Sequence, residues 1–467
     1  MIALTAQEIA EAVGGSLVGS AAPNWPPDPG SVVTDSRLAR AGSIFIALPG
    51  TIADGHDFVG AAALGGAWLA IVERPVDAEI LQIVVGSSVT ALAALAREVV
   101  RRVRDHGTLQ VIAVTGSNGK TTTKNMLRTI LQGEGPTVAP RDSLNNDVGA
   151  PISMLAIDEH TRFLIVEMGA DAPGDVARLV SIVTPDVAIV LNVGLAHVEK
   201  FGSQDAIEQA KSEMVTDLPA TATAVLNFDD PRVRHMSART RASVLWFGLD
   251  AAASIRATSI RSNADSTVFT LHVGPTTSGV SLRLLGEHQV MNALAAVAAS
   301  SVVGVPADRA VRAIEGMTRA ERWRMEVLPG PDGVTIINDA YNASPDSMAA
   351  ALKTLAEITR GGGRSVAVLG EMAELGELAL EEHDRIGRLV VRLNIQQLFV
   401  VGYGARHIHS AAALEGSWDG ESVLVSTSEE AYAVLREQLR PGDVVLVKSS
   451  NSAGLRFLGD RLAGIAA

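Results

Sequence analysis

Between positions 89 and 103 the apolar residues Val89, Leu92, Leu95, Ala96, Val99 and Val103 recur every three or four positions, the period that gathers them on one helix face. The stretch runs out into Arg104-Asp105-His106-Gly107, so it predicts the last helix of a first domain. After it the period changes. Val111-Ile-Ala-Val114, Phe163-Leu-Ile-Val166 and Val187-Ala-Ile-Val-Leu191 are short runs rich in β-branched residues, suited to a parallel sheet covered on both faces. Helical patterns separate them, and the alternation predicts a doubly wound α/β domain.

Helical segments over 290–303, stopped by Gly304 and Pro306, and over 308–314 close this domain. Polar residues over 318–324, then Pro329-Gly330-Pro331-Asp332-Gly333, predict a second joint. Beyond it come Ser365-Val-Ala-Val-Leu369, Leu398-Phe-Val-Val401, Val423-Leu-Val425 and Val444-Val-Leu-Val447, four more apolar runs between helical patterns. They predict a second, smaller α/β unit. The expected division is therefore 1–107, 108–322 and 323–467.

Composition narrows the function classes. A chain of 467 residues with 47% hydrophobic and 19% charged residues is globular and long enough for several cores, not disordered or collagen-like. With 39 basic against 52 acidic residues the net charge is -13, which opposes broad adhesion to nucleic acid or anionic lipid. No cysteine is present, which excludes disulfides, thiolate nucleophiles, Cys-ligated zinc and iron-sulfur clusters. The first residues lack a basic segment followed by an apolar core, and no apolar stretch approaches the ~20 residues that span a bilayer. A cytoplasmic protein without membrane insertion is expected, and a monomer.

Thr115-Gly-Ser-Asn-Gly-Lys-Thr-Thr-Thr123 stands after one of the predicted buried strands and before a helix that runs toward Leu131. Glycines let the backbone wrap phosphate oxygens, amides at the helix start point at them, Lys120 adds a point charge and the Thr121 hydroxyl can reach Mg²⁺. Strict Walker A spacing is not met, because Val114 occupies the place of the first Gly. This loop predicts nucleotide binding without separating an ATPase, a GTPase and a ligase. Glu167 and His197 follow the second and third central strands, at the carboxyl edge where doubly wound folds place ligands.

In the order of these motifs the sequence resembles the Mur ligase family, over nearly the whole chain, and the shortened phosphate loop is the family form. The resemblance implies ATP as cofactor, held by Thr115, Gly116, Ser117, Asn118, Gly119, Lys120, Thr121 and Thr122, and two Mg²⁺ ions held by Thr121, Glu167, His197 and Lys211. Lys211, in Ala210-Lys-Ser-Glu213, matches a lysine that the family carbamylates with CO₂, which turns an ammonium into an anionic oxygen ligand. That reaction needs the neutral amine, so a pKa well below the usual ~10.4 is expected. Asn292, in His288-Gln-Val-Met-Asn292, matches the residue that meets adenine, and Gln289 departs from the family Asn. Arg324 matches the arginine near the γ-phosphate, with Arg322 a nearby competitor, and Asp339 matches the acidic residue near the ribose.

Thr34-Asp-Ser-Arg37, Gly42-Ser-Ile-Phe-Ile-Ala-Leu48 and Asp54-Gly-His-Asp-Phe58 resemble the family's uridine-nucleotide domain, which implies Ser36 and Arg37 as contacts to the UDP moiety. Leu369-Gly-Glu-Met-Ala-Glu-Leu-Gly376 is characteristic of the branch that adds D-Ala-D-Ala. Lys448-Ser-Ser-Asn-Ser452 lacks the Arg of the family's Lys-Gly-Ser-Arg-Ser, so no dipeptide contact is expected there. The implied fold is a small α/β uridine-nucleotide domain, a central phosphate-loop domain with a mostly parallel sheet and a Rossmann-like C-terminal ligase domain. The implied reaction joins D-Ala-D-Ala to UDP-MurNAc-tripeptide through an acylphosphate, with Lys120, Lys211, His197 and Arg324 at the chemistry. Since Arg324 and Asp339 belong to the third domain, the site requires domain closure.

Overall fold

Three sheets organise the chain in the computed structural model, which describes residues 1–19, 30–140, 143–415 and 418–465. The first has five strands in the order Ser16–Val18, Leu81–Val84, Leu69–Val72, Ile44–Ile46, Val32–Val33. All its pairings are parallel except the one that Ser16–Val18 makes. The helix Ser88–His106 leaves this sheet with its apolar stripe of Leu92, Leu95, Ala96, Val99 and Val103 buried, and packs on the central helices Gly149–Met154 and Asp175–Ile182. Arg97 Nε donates to the Ser181 carbonyl at 3.1 Å and Arg104 Nη2 to the Thr184 carbonyl at 2.7 Å. A single buried apolar cluster runs from Ile9 through Leu95 to Val176, so this helix is cemented to the central unit and is more than a spacer.

The central sheet has nine strands, ordered Thr276–Leu282, Thr267–Val273, Ile255–Ser262, Ser243–Gly248, Thr223–Asn227, Val187–Val190, Gln110–Thr115, Phe163–Glu167, Thr137–Val138. It is parallel except for the pairings that Thr267–Val273 makes on either side. Ile255–Ser262 and Thr267–Val273 alternate buried and more exposed residues, the mark of strands with one face covered, here by the helix Glu287–Val302. Gln110–Thr115 lies between Phe163–Glu167 and Val187–Val190, so the chain departs to one side and returns on the other. Such a switch point opens a crevice at the carboxyl ends of the strands, and the phosphate loop and Glu167 both stand there.

The third sheet runs Glu326–Pro329, Thr335–Asn338, Val444–Lys448, Ser365–Leu369, Gln397–Val401, Glu421–Val425, parallel but for its first strand. One expectation changes. Glu326–Pro329 pairs with Thr335–Asn338 as a hairpin, so Pro329-Gly330-Pro331-Asp332-Gly333 is a turn inside the third sheet and no domain joint. Pro329 is tolerated because it lies on an edge strand, where its missing N–H costs no ladder bond. The joint itself is shorter and carries strain: Trp323 (φ 58°) and Met325 (φ 49°) both adopt the left-handed conformation around Arg324. Among the described residues no helix is long and apolar enough to cross a membrane.

Candidate active site

The loop after Gln110–Thr115 is anchored on Asn192. Ser117 N donates to the Asn192 carbonyl at 3.0 Å, and Asn118 N to the Asn192 side chain at 2.9 Å. Gly119 has φ +87°, and a Cβ there would collide with the Asn292 side-chain oxygen, so only glycine fits. The helix Lys120–Gln132 begins with no side-chain cap, which leaves its first amides to an anion. Lys120 Nζ donates to the Gly116 carbonyl at 2.7 Å, folded across the loop, and burial lowers its pKa. Thr115 stands apart from its neighbours: fully buried, it donates to the Met168 carbonyl at 2.8 Å and serves as the footing of the loop. Thr122 lines the cavity over which the loop stands.

Glu167 closes its strand almost fully buried, and its carboxylate accepts from Thr121 Oγ1 at 3.1 and 3.3 Å and from Asn145 Nδ2 at 2.8 Å. The Thr121 hydroxyl also meets Ser143 Oγ at 2.9 Å, and Ser143 accepts from Arg324 Nη2 at 3.0 Å. A continuous polar path therefore runs from the central strand through the phosphate loop to the inter-domain joint. Arg324 stacks over the Tyr341 ring at 4.3 Å, and its buried Nε has no partner. Arg322 turns to Asp460 at 2.9 Å, while Arg324 lines the cavity.

His197 has φ 64° at the head of the short helix Val198–Phe201, and its Nδ1 meets the Glu374 carboxylate of the third domain. Burial lowers its pKa and the Lys120 charge adds to this, against an opposing effect of Glu374. Lys211, on the helix Gln204–Thr216, is buried; desolvation first and Lys120 second lower its pKa to about 7. Asn292 donates to the Gln289 side chain at 3.0 Å, so the departing Gln289 orients the residue beside it. Asp339 accepts from Lys448 Nζ at 2.6 Å and from Met325 N at 2.9 Å, tying the joint to the third sheet.

One cavity of about 670 Å³ is lined by Ser117, Asn118, Gly119, Lys120, Thr121, Thr122, Glu167, His197, Lys211, Asn292, Arg324 and Asp339. Ser36 and Arg37 do not line it: they form a turn of the first domain, and the exposed Arg37 pairs with Asp35 at 2.6 Å. Ser143, Asn145, Tyr341 and Glu374 are further lining or bridging residues that sequence reasoning did not single out. For Glu374 a signal was in hand, since it lies within the Gly370–Gly376 segment; nothing marks Ser143 or Asn145 before the fold brings them to Thr121 and Glu167.

Among the described residues no three His, Asp or Glu side chains form a ready-made metal cage. The paired Thr121 hydroxyl and Glu167 carboxylate nevertheless supply the oxygen donors that Mg²⁺ takes when phosphate and water complete its shell. The donor set thus fits a magnesium-nucleotide.

Residues 114–300 match the family described as the Mur ligase middle domain, and residues 323–451 the Mur ligase, glutamate ligase domain. A UDP-N-acetylmuramoyl-tripeptide--D-alanyl-D-alanine ligase of Mycobacterium tuberculosis is 40% identical, over 99% of this chain and 98% of that one. MurF from Acinetobacter baumannii superimposes with a TM-score of 0.88 at 32% identity, covering 99% of both chains. MurF ligase from Thermotoga maritima in complex with ADP gives 0.82 at 30% identity, over 93% of this chain and 97% of that one.

Proposed function

The chain belongs to the Mur ligase family, and from that premise we propose that it joins D-Ala-D-Ala to UDP-MurNAc-tripeptide, giving UDP-MurNAc-pentapeptide, ADP and phosphate. The observation that carries this reading is the path Glu167–Thr121–Ser143–Arg324, which brings a phosphate loop and a third-domain cation to one cavity.

A carboxylate is a poor acyl donor. Its oxygen attacks the γ-phosphorus of ATP, ADP leaves, and an acylphosphate results; Lys120 and Arg324 face the charge that develops on the transferring group. The dipeptide amine then attacks the acyl carbonyl, a tetrahedral adduct forms, and phosphate departs with the amide in place. Arg324 suits the first step because its planar fork grips two oxygens at once, and stacking on Tyr341 fixes its plane. Thr121 and Glu167 would hold Mg²⁺ beside the phosphate loop, where the ion supplies charge neutralisation to the triphosphate. Third-domain residues already touch the central edge: Ser344 Oγ donates to the Asn118 side chain at 3.2 Å and Leu195 N to Asp346 at 3.3 Å. Closure of this kind excludes water from the acylphosphate.

The same reading includes finer assignments. His197 and a carbamylated Lys211 would hold a second Mg²⁺, and the Lys211 pKa of about 7 supports the neutral amine that CO₂ requires. Asn292 meets adenine and Asp339 the ribose. Ser36 and Arg37 contact the UDP moiety, with the exposed Arg37 free to exchange Asp35 for a diphosphate. The domains divide at 1–107, 108–322 and 323–467, in a monomer of the cytoplasm.

Phosphate release measured with ATP, Mg²⁺ and UDP-MurNAc-tripeptide tests the reaction. Release that depends on added D-Ala-D-Ala, with pentapeptide formed in equal amount, is expected. Equal release without the dipeptide overturns the ligase reading.

A further inference from the structure

The contact between the segment Gly370–Gly376 and the short helix Val198–Phe201 does more than cover the site. Glu374 sits at φ 60° and His197 at φ 64°, two non-glycine residues in left-handed backbone that face each other across the second and third domains. Such conformations persist only where the surroundings over-determine them, and they gather at functional sites. The surroundings here do so. Behind Glu374, Gly370 N donates to the Lys448 carbonyl at 2.9 Å, Met372 N to His383 Nε2 at 3.0 Å and Ala373 N to Ser450 Oγ at 2.8 Å. Met372 and Leu375 are buried on either side. The segment is therefore pinned to its own domain and holds Glu374 outward.

Across the boundary Glu374 makes three distinct contacts with one turn of chain. Its carboxylate meets His197 Nδ1 and, at 3.0 Å, Lys200 Nζ, while its carbonyl accepts from Glu199 N at 3.1 Å. Lys200 is itself held by Asp171 at 2.9 Å, so the ion pair alone does not account for what meets the imidazole. A ring whose Nδ1 is engaged by a carboxylate has a fixed plane and keeps its proton on that atom, leaving Nε2 for the cavity that His197 lines.

We infer that Glu374 is a positioning residue for the ligase reaction: on domain closure its carboxylate seats the His197 ring, so that the central-domain site is completed only when the third domain is in place. This rests on the ligase reading above. The partner of the His197 ring, Glu374, comes from another domain, so the histidine acquires its working orientation together with the domain that carries Arg324. The device couples closure to competence through the orientation of the His197 ring.

The full-length protein and its Glu374→Ala, Glu374→Gln and Lys200→Ala variants are compared for pentapeptide formation. Glu374→Ala is expected to lower kcat roughly 10- to 100-fold, the range for loss of a group that orients a site histidine, with KM for ATP changed little. Glu374→Gln keeps an oxygen that accepts from Nδ1–H and restores most of kcat, and Lys200→Ala costs far less than Glu374→Ala. Independently of turnover, the ¹⁵N shifts of the His197 ring at pH 8, assigned by His197→Gln, report one tautomer in the wild type and a mixture in Glu374→Ala. A Glu374→Ala variant with wild-type kcat, a Lys200→Ala variant equally impaired, or an unchanged tautomer would overturn the inference. Absence of pentapeptide from the wild type would instead sink the ligase reading and leave the ring shifts to judge Glu374.

Discussion

The Thr121 hydroxyl donates to Glu167 Oε2 at 3.1 Å, so the first turn of the phosphate-loop helix and the end of the neighbouring strand share one hydrogen. Asn145 Nδ2 holds the other carboxylate oxygen at 2.8 Å. That amide fixes the direction of Glu167 without touching Thr121. In Asn145→Ala the carboxylate keeps its charge and loses its aim, and the Mg²⁺ concentration for half-maximal phosphate release should rise roughly 10- to 100-fold. A magnesium titration of turnover checks this; an unchanged midpoint means that Asn145 only fills space.

Arg324 is placed by two things that lysine cannot reproduce together: a stack on Tyr341 at 4.3 Å and a bond from Nη2 to Ser143 at 3.0 Å. Truncation to Ala should lower kcat by about 10² to 10³, the usual cost of a donor aimed at developing charge. Arg324→Lys should fall between, since the charge stays and the fork is lost. ATP binding measured separately should change much less than kcat; equal losses in both would make Arg324 a ground-state contact.

Much of the site was legible because its residues sit at punctuation in the chain. The phosphate loop follows a buried strand, Glu167 ends one, and Lys120 stands where a glycine pair opens a helix. Such positions are set by local pattern and parallel topology, which the sequence displays. Arg324 was preferred to Arg322 on the resemblance alone, because the two are two residues apart and only tertiary packing sends one to Asp460 and the other to the cavity. The hairpin of Glu326–Pro329 and Thr335–Asn338 was hidden by Pro329 and Pro331, which read as a linker until an edge strand accommodates the first and the turn the second. Ser143 and Asn145 belong to a loop whose meaning comes from the strand beneath it. The Gly370–Gly376 segment marked the neighbourhood of Glu374, but its contact with His197 required knowing that two domains meet.

Lys211 titrates near pH 7, far below an exposed lysine, because burial disfavours its charge and Lys120 repels a second ammonium. Below about 7 the amine is protonated and unreactive; above it the neutral form dominates. On the proposal that Lys211 is carbamylated, the rate of carbamate formation at fixed dissolved CO₂ should therefore climb between pH 6 and 8 and level off, rather than climb toward pH 10. ¹³C NMR with labelled bicarbonate measures it, with Lys211→Ala as the control. Lys120→Met removes the repelling charge, so the midpoint should move upward; a midpoint that stays or falls contradicts the charge argument.

Lys448 is 2% exposed and its ammonium reaches Asp339 Oδ2 at 2.6 Å and the Asn342 carbonyl at 3.0 Å. Removing one partner of a buried pair leaves an uncompensated charge, typically at a cost of ~3 to 5 kcal/mol. Asp339→Ala should fall near the low end, since a carbonyl acceptor remains for the ammonium. Replacing both residues, as in Asp339→Ala with Lys448→Met, removes the stranded charge and should recover much of the loss, measured as the urea unfolding midpoint. The two variants also divide structure from chemistry. If Asp339 meets the ribose, the double variant regains stability while its KM for ATP stays raised; recovery of both would confine Asp339 to anchoring the joint through Lys448.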